Sequence, residues 1–203
     1  MSTTTAVRLT ANEFFDFVHL PENENKSFEL DRGEVIEMPS PAKPHCLITA
    51  NAARILGNYS FAVGTCYVLS NDCGVILQRD PDIVRGPDVA VYNDVATKEE
   101  LHPKYGEVAP ILAVEVLSPN DRPMKVTRKI ADYLRAGTAL VWLMDPETCT
   151  VSVHRRNAEP QPIDVDGEVD GGEVLPGFRC RIADFFGFPQ RPSTRPADVS
   201  PLG

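Results

Sequence analysis

The sequence predicts an α/β fold with helices packed on a sheet, and three observations carry the prediction. Residues 110–144 read as strand, helix, strand, a βαβ-like unit: PILAVEVL is apolar but for Glu115, a helix follows to about residue 136, and TALVWLM is the next buried strand. Residues 45–63 place Leu47, Ile48, Ala52, Ile55 and Leu56 at helical spacing, which predicts an amphipathic helix over one sheet face. Between these segments lie short β-rich runs separated by Asn, Asp, Gly and Pro. A chain of 203 residues with 42% apolar and 24% charged residues suits a single core, so one domain is expected over 1–186, with a Pro-rich, disordered tail at 187–203.

In chain order, Thr10-Ala-Asn-Glu13 has capping-box spacing and opens a short helix through Phe14, Phe15, Phe17 and Val18, ending near Pro21. SFELDRGEVIEM reads as a β-hairpin turning at Asp31-Arg32-Gly33. The 45–63 helix ends at Gly57 or Gly64. Cys66–Leu69, Gly74–Leu77 and Asp88–Tyr92 are expected as strands of one sheet. Ser118-Pro-Asn-Asp121 caps a helix over 121–136, with Val126, Ile130, Tyr133 and Leu134 on one stripe and Gly137 as its stop. On that helix Lys129 falls at the edge of the stripe, whereas Arg128 and Asp132 fall on the solvent side. Cys149–His154 alternates as an edge-type strand, and the rest to Phe186 is acidic and hairpin-like.

Composition narrows the chemistry. A net charge of −9 gives no chain-wide attraction to nucleic acid or anionic membrane, yet residues 120–156 hold seven Arg and Lys against four Asp and Glu. Five cysteines without a CxxC pair read as buried thiols in a reducing cytoplasm. The segment MSTTTAVRLTANEFFDF lacks a basic start and an apolar run, and no 18 apolar residues follow one another, so neither secretion nor membrane spanning is expected. The spacings of zinc hydrolases, phosphate loops, dinucleotide-binding turns and serine esterases are all missing.

What remains are carboxylates in costly places. Asp88 follows Pro87 at the start of a strand, and Glu115 interrupts an apolar one. Buried carboxylates need a cationic partner, either an Arg or Lys or a divalent metal that takes hard oxygen ligands. Lys129 could point its ammonium at such a pair. Glu29 lies between Phe28 and Leu30 and so faces away from both. It is either a further acidic ligand or an ordinary hairpin residue. His45, at a helix start, either touches a phosphate or water or merely caps.

Pro87-Asp88, Val114-Glu115-Val116-Leu117-Ser118-Pro119, then Asp121, Lys129, Tyr133, Gly137 and Leu140–Pro146, together with Phe28–Glu34 and His45, resemble the Uma2 family of restriction-endonuclease-like proteins, a branch of the PD-(D/E)xK nuclease superfamily. The resemblance spans roughly residues 8–186. It implies a restriction-endonuclease-like central mixed β-sheet flanked by helices, with an N-terminal helix and β-hairpin, and a metal-dependent phosphodiesterase centre. Asp88 and Glu115 would hold Mg²⁺ or Mn²⁺ with the backbone carbonyl of Val116. The motif's lysine is replaced by Leu117, so Lys129 from the next helix takes its role, with Lys125 one turn earlier as the fallback. DNA is the implied substrate, and cutting both strands points to a homodimer. The alternatives are a degraded nuclease fold that binds nucleic acid or protein without cutting, and a hydrolase of small phosphoesters.

Overall fold

The computed structural model describes residues 8–119 and 121–189; the tail from residue 190 and Asn120 lie outside the described residues. Helix α1 (Ala11–Val18) opens on the capping box: the Thr10 hydroxyl accepts the Glu13 N–H at 3.3 Å, and the Glu13 carboxylate accepts the Thr10 N–H at 2.8 Å. It buries Ala11 and Phe14 against Leu30, Ile76 and Val84. Strands β1 (Ser27–Asp31) and β2 (Glu34–Met38) form the hairpin, with Arg32 and Gly33 both left-handed at φ 53° and 83°, the mirror-type turn that matches strand twist. Helix α2 (Lys43–Val63) runs through Gly57 and stops at Gly64, which is left-handed at φ 66°.

Next come β3 (Tyr67–Ser70), β4 (Val75–Gln78), β5 (Ile83–Arg85), β6 (Val89–Tyr92), β7 (Leu112–Val116), α3 (Pro123–Ala136) and β8 (Leu140–Asp145). The chain continues through β9 (Thr150–His154), β10 (Gln161–Ile163), β11 (Glu168–Asp170), β12 (Arg179–Arg181) and α4 (Ile182–Phe186). Six strands build the central sheet in the order β10-β9-β8-β7-β6-β3, and β1, β2, β4 and β5 build a second sheet in the order β2-β1-β5-β4. Strands β7 and β8 are parallel and the other neighbours antiparallel, so the central sheet is mixed, as the resemblance implies. No described helix is long and apolar enough to cross a membrane.

The expectation that the three runs between 66 and 92 share one sheet is corrected. Strands β3 and β6 pair in the central sheet, while β4 pairs with β5 in the second one. The left-handed pair Asn71 (φ 69°) and Asp72 (φ 54°) redirects the chain between β3 and β4. Strand β9 is interior rather than an edge, because β10 pairs outside it. Helix α3 starts at Pro123 without a side-chain cap, since the Asp121 carboxylate is spent on the Ser118 N–H of the preceding turn. Pro suits that first position because it has no N–H to leave unpaired. Of the five cysteines, all free, only Cys180 is buried.

Packing on the two faces of the central sheet positions the site. Helix α2 packs Ile48, Ala52 and Leu56 against Val89, Val91, Leu112, Val114, Val116 and Trp142. On the other face, Ile130 and Tyr133 of α3 meet Ala113 and Val141. Alternation along β7 therefore sends Leu112, Val114 and Val116 to α2, and Ala113 and Glu115 to the face that α3 covers.

Candidate active site

The β6–β7 register pairs Val89 with Val114 and Ala90 with Ala113. β6 starts one residue after Asp88, so this pairing brings Asp88 to the end of β7 that carries Glu115, near enough for its charge to act on that carboxyl. Asp88 Oδ2 accepts the Val116 N–H at 2.7 Å, and Oδ1 lies 3.2 Å from His45 Nε2 at the start of α2. Strand pairing thus brings together two carboxylates that are 27 residues apart in sequence.

Helix α3 supplies the cation. Lys129 Nζ lies 2.8 Å from Glu115 Oε2 and 2.8 Å from Glu29 Oε1, with the Gly86 carbonyl at 3.4 Å. One turn on, the Tyr133 hydroxyl donates to Glu115 Oε1 at 2.8 Å. Glu29, Glu115 and Tyr133 are buried. Alternation along β7 puts residue 117 on the same side as Glu115, so Lys129 brings an ammonium to the face where a lysine at 117 would stand. Lys125 is exposed and, like Arg122, forms no ion pair among the described residues.

Electrostatics follow from this packing. Burial pushes the Glu115 carboxyl up to about 8; Lys129 opposes that rise, and the Asp88 and Glu29 charges add to it. Glu29 is likewise buried, but Lys129 and Arg85 prevail and hold its carboxyl below the usual glutamate range. Burial alone would lower Lys129, yet Glu115 and Glu29 raise it, so it stays an ammonium. The hydrogen bond to Asp88 raises His45 despite its partial burial. Asp72 is raised by loss of water and by the Asp88 charge.

Behind Glu29 lies a charged cluster that sequence reasoning missed. Arg85 contacts Glu29 at 3.0 Å, Asp132 at 2.7 Å and Asp31 at 3.3 Å. Arg32 and Arg135 also pair with Asp132, and Arg128 with Asp31. Asp132 is 3% exposed, which corrects its placement on the solvent side of α3: the second sheet covers that side of the helix and Arg85 fills the gap. Arg85 lies in a three-residue strand, too short to show a period in the sequence. Asp72 carried no signal beyond a turn. Its carbonyl abuts Gly86, where an added Cβ would come within 2.7 Å of it.

The donor set tests the implied metal. Among the described residues no group of three or more His, Cys, Asp or Glu side chains is disposed to hold an ion. A Mg²⁺ site does not require one: this ion retains waters and is held by one or two carboxylates with substrate phosphate. Glu115 has an occupant on each oxygen, but a carboxylate offers about four lone-pair positions. Hard oxygen donors without a thiolate or imidazole cluster fit Mg²⁺ or Mn²⁺ rather than Zn²⁺.

Comparisons with known proteins bear on the family and the fold. The family model described as "Uma2: Putative restriction endonuclease" matches residues 14–183. A crystal structure described as a "putative nuclease belonging to DUF820" from Anabaena variabilis ATCC 29413 superposes with a TM-score of 0.74 at 25% identity, covering 88% of this chain and 97% of that one. No curated protein matches the chain.

Proposed function

This chain belongs to the Uma2 family, and from that premise we propose that it is a divalent-metal-dependent endonuclease that hydrolyses phosphodiester bonds in DNA. The observation that carries the reading is the Lys129 ammonium 2.8 Å from both Glu29 and Glu115, at the end of β7 to which pairing with β6 brings Asp88. Asp88, Glu115 and the Val116 carbonyl would hold the metal. When bound, Mg²⁺ or Mn²⁺ supplies Lewis-acid polarisation of the scissile phosphate and a water of lowered pKa.

The chain's own residues do the rest. Lys129, kept charged by two carboxylates, offsets negative charge that develops on the phosphoryl oxygens and orients the attacking water. Glu29 fixes that ammonium from behind, and the Tyr133 hydroxyl fixes the Glu115 rotamer. His45 and the Val116 N–H hold the two oxygens of Asp88. Most basic side chains of α3 are spent internally, on Asp31, Asp132, Glu29 and Glu115. Few cations of α3 are left for phosphate, so duplex affinity is weak. A second copy would provide the second active site for a double-strand cut, and five free thiols suit a reducing cytoplasm.

Leu117 in the motif's lysine position favours one other reading, a site that binds metal and nucleic acid without cutting. DNA cleavage by wild type, Asp88→Asn and Glu115→Gln with Mg²⁺ or Mn²⁺ separates the two. Metal-dependent cutting by wild type alone is expected; equal cutting by all three proteins refutes the assignment. Mn²⁺ binding by calorimetry without any cleavage supports the binding module. A small phosphodiester cut in preference to DNA points to the small-phosphoester hydrolase.

A further inference from the structure

We infer that Arg85 is a positioning residue for the Lys129 ammonium: by gripping Glu29, Asp31 and Asp132 together, it fixes the carboxylate against which Lys129 is held. The inference rests on the nuclease reading for its kinetic consequence, but not for its geometry.

Arg85 is 4% exposed and joins three elements. Its terminal nitrogens reach Glu29 and Asp31 of β1 and Asp132 of α3, the helix that carries Lys129 three residues earlier. Among the described residues its Nε has no hydrogen-bond partner, and the atom is shielded from water. Buried ion clusters are poor stability devices, because apolar side chains of similar volume often serve as well or better. An arginine held here with one donor unpaired is better explained by geometry. The planar guanidinium fork sets the distance between β1 and α3, and hence between Glu29 and Lys129.

The chain of contacts shows how the effect is transmitted. Glu29 Oε2 belongs to Arg85 and Oε1 to Lys129, so the same carboxylate is shared between the two cations. Without the fork, Glu29 has only Lys129 to neutralise it and draws the ammonium away from Glu115. Arg32 and Arg135 cannot compensate, since their contacts are to Asp31 and Asp132 and not to Glu29.

The test uses full-length protein. Arg85→Lys keeps the charge but cannot span three carboxylates, and Arg85→Met with Asp132→Asn removes both members of the pair, which keeps a soluble protein in hand if one variant misfolds. Two readouts are taken: DNA cleavage kinetics with Mn²⁺, and acetylation of Lys129 by an amine-reactive ester, followed by mass spectrometry with Lys125 as the internal reference. In folded variants we expect kcat to fall about 10- to 100-fold with KM little changed, and the reactivity of Lys129 relative to Lys125 to shift severalfold as its ammonium is re-sited. A residue that merely stabilised the fold would leave both at wild-type levels in soluble protein, and that result overturns the inference. If wild type cuts no DNA, the nuclease reading fails and acetylation alone decides: unchanged Lys129 reactivity overturns the role of Arg85, and a severalfold shift upholds it.

Discussion

Replacing Lys129 with Met keeps the stem of the side chain and deletes the charge between Glu29 and Glu115, so its effect can be worked from the contacts. Stripping one partner from a buried ion pair costs about 3–5 kcal/mol when the other is left uncompensated. Neither carboxylate is left so here. Glu29 retains Arg85 at 3.0 Å, and Glu115, whose carboxyl already sits at about 8 with the lysine present, takes up a proton and keeps its Tyr133 bond. The stability loss should therefore be nearer about 1–3 kcal/mol, the worth of charged hydrogen bonds. Activity should suffer more, by about 10²- to 10³-fold in kcat, the usual effect of deleting one donor aimed at developing charge. Plasmid nicking with Mn²⁺ and urea denaturation of the same preparations measure both. Lys129→Met protein that nicks within about threefold of wild type refutes the catalytic role of the ammonium. A stability loss beyond about 5 kcal/mol refutes the argument that the two carboxylates are relieved. Lys125→Met, altered on the exposed face, should leave kcat within about twofold.

Other consequences are equally direct. Glu115 is held at about 8, above the 4.5 of an ordinary glutamate, and His45 is raised as well. In both cases the folded state binds a proton more tightly than the unfolded chain. Chelated protein should thus lose stability as pH rises from about 5 toward 8, and Glu115→Gln should flatten the slope; a urea midpoint that climbs over this range contradicts the site's electrostatics. Gly86→Ala would place a Cβ within 2.7 Å of the Asp72 carbonyl, so the loop carrying Gly86 must shift. A loss of about 1–3 kcal/mol is expected with reduced cleavage; a wild-type melting curve would show the loop to be yielding. Thr10→Ala removes the cap of α1 and should cost about 1 kcal/mol without changing kcat, checked by denaturation and nicking in parallel.

Much of the candidate site could be read from one dimension. Glu115 stood out because an acidic residue in an apolar strand demands a partner, and Lys129 because its helical angle falls at the stripe's edge. Both are local-period arguments, and local periods survive folding. Asp132 was misplaced by the same reasoning, since a helical wheel identifies the face toward one sheet and cannot know that a second sheet covers another. Arg85 and Asp72 lie in segments too short to show any period.

By itself, then, the sequence determined the elements whose signals are contiguous: the capping box at Thr10, the hairpin at Gly33, the helix stopping at Gly137, and the strand–helix–strand order of residues 110–144, whose parallel pairing the structure supplied. It also determined, through family motifs, which carboxylates and lysine to consider. Only the tertiary structure decided that β4 leaves the central sheet, that Asp88 and Glu115 come to the same end of the β6–β7 pair, and that Arg85 closes a charged cluster behind them. The physical reason is that strand register and burial are set by contacts between residues distant in the chain, and a carboxylate's partner is whatever packing brings within reach.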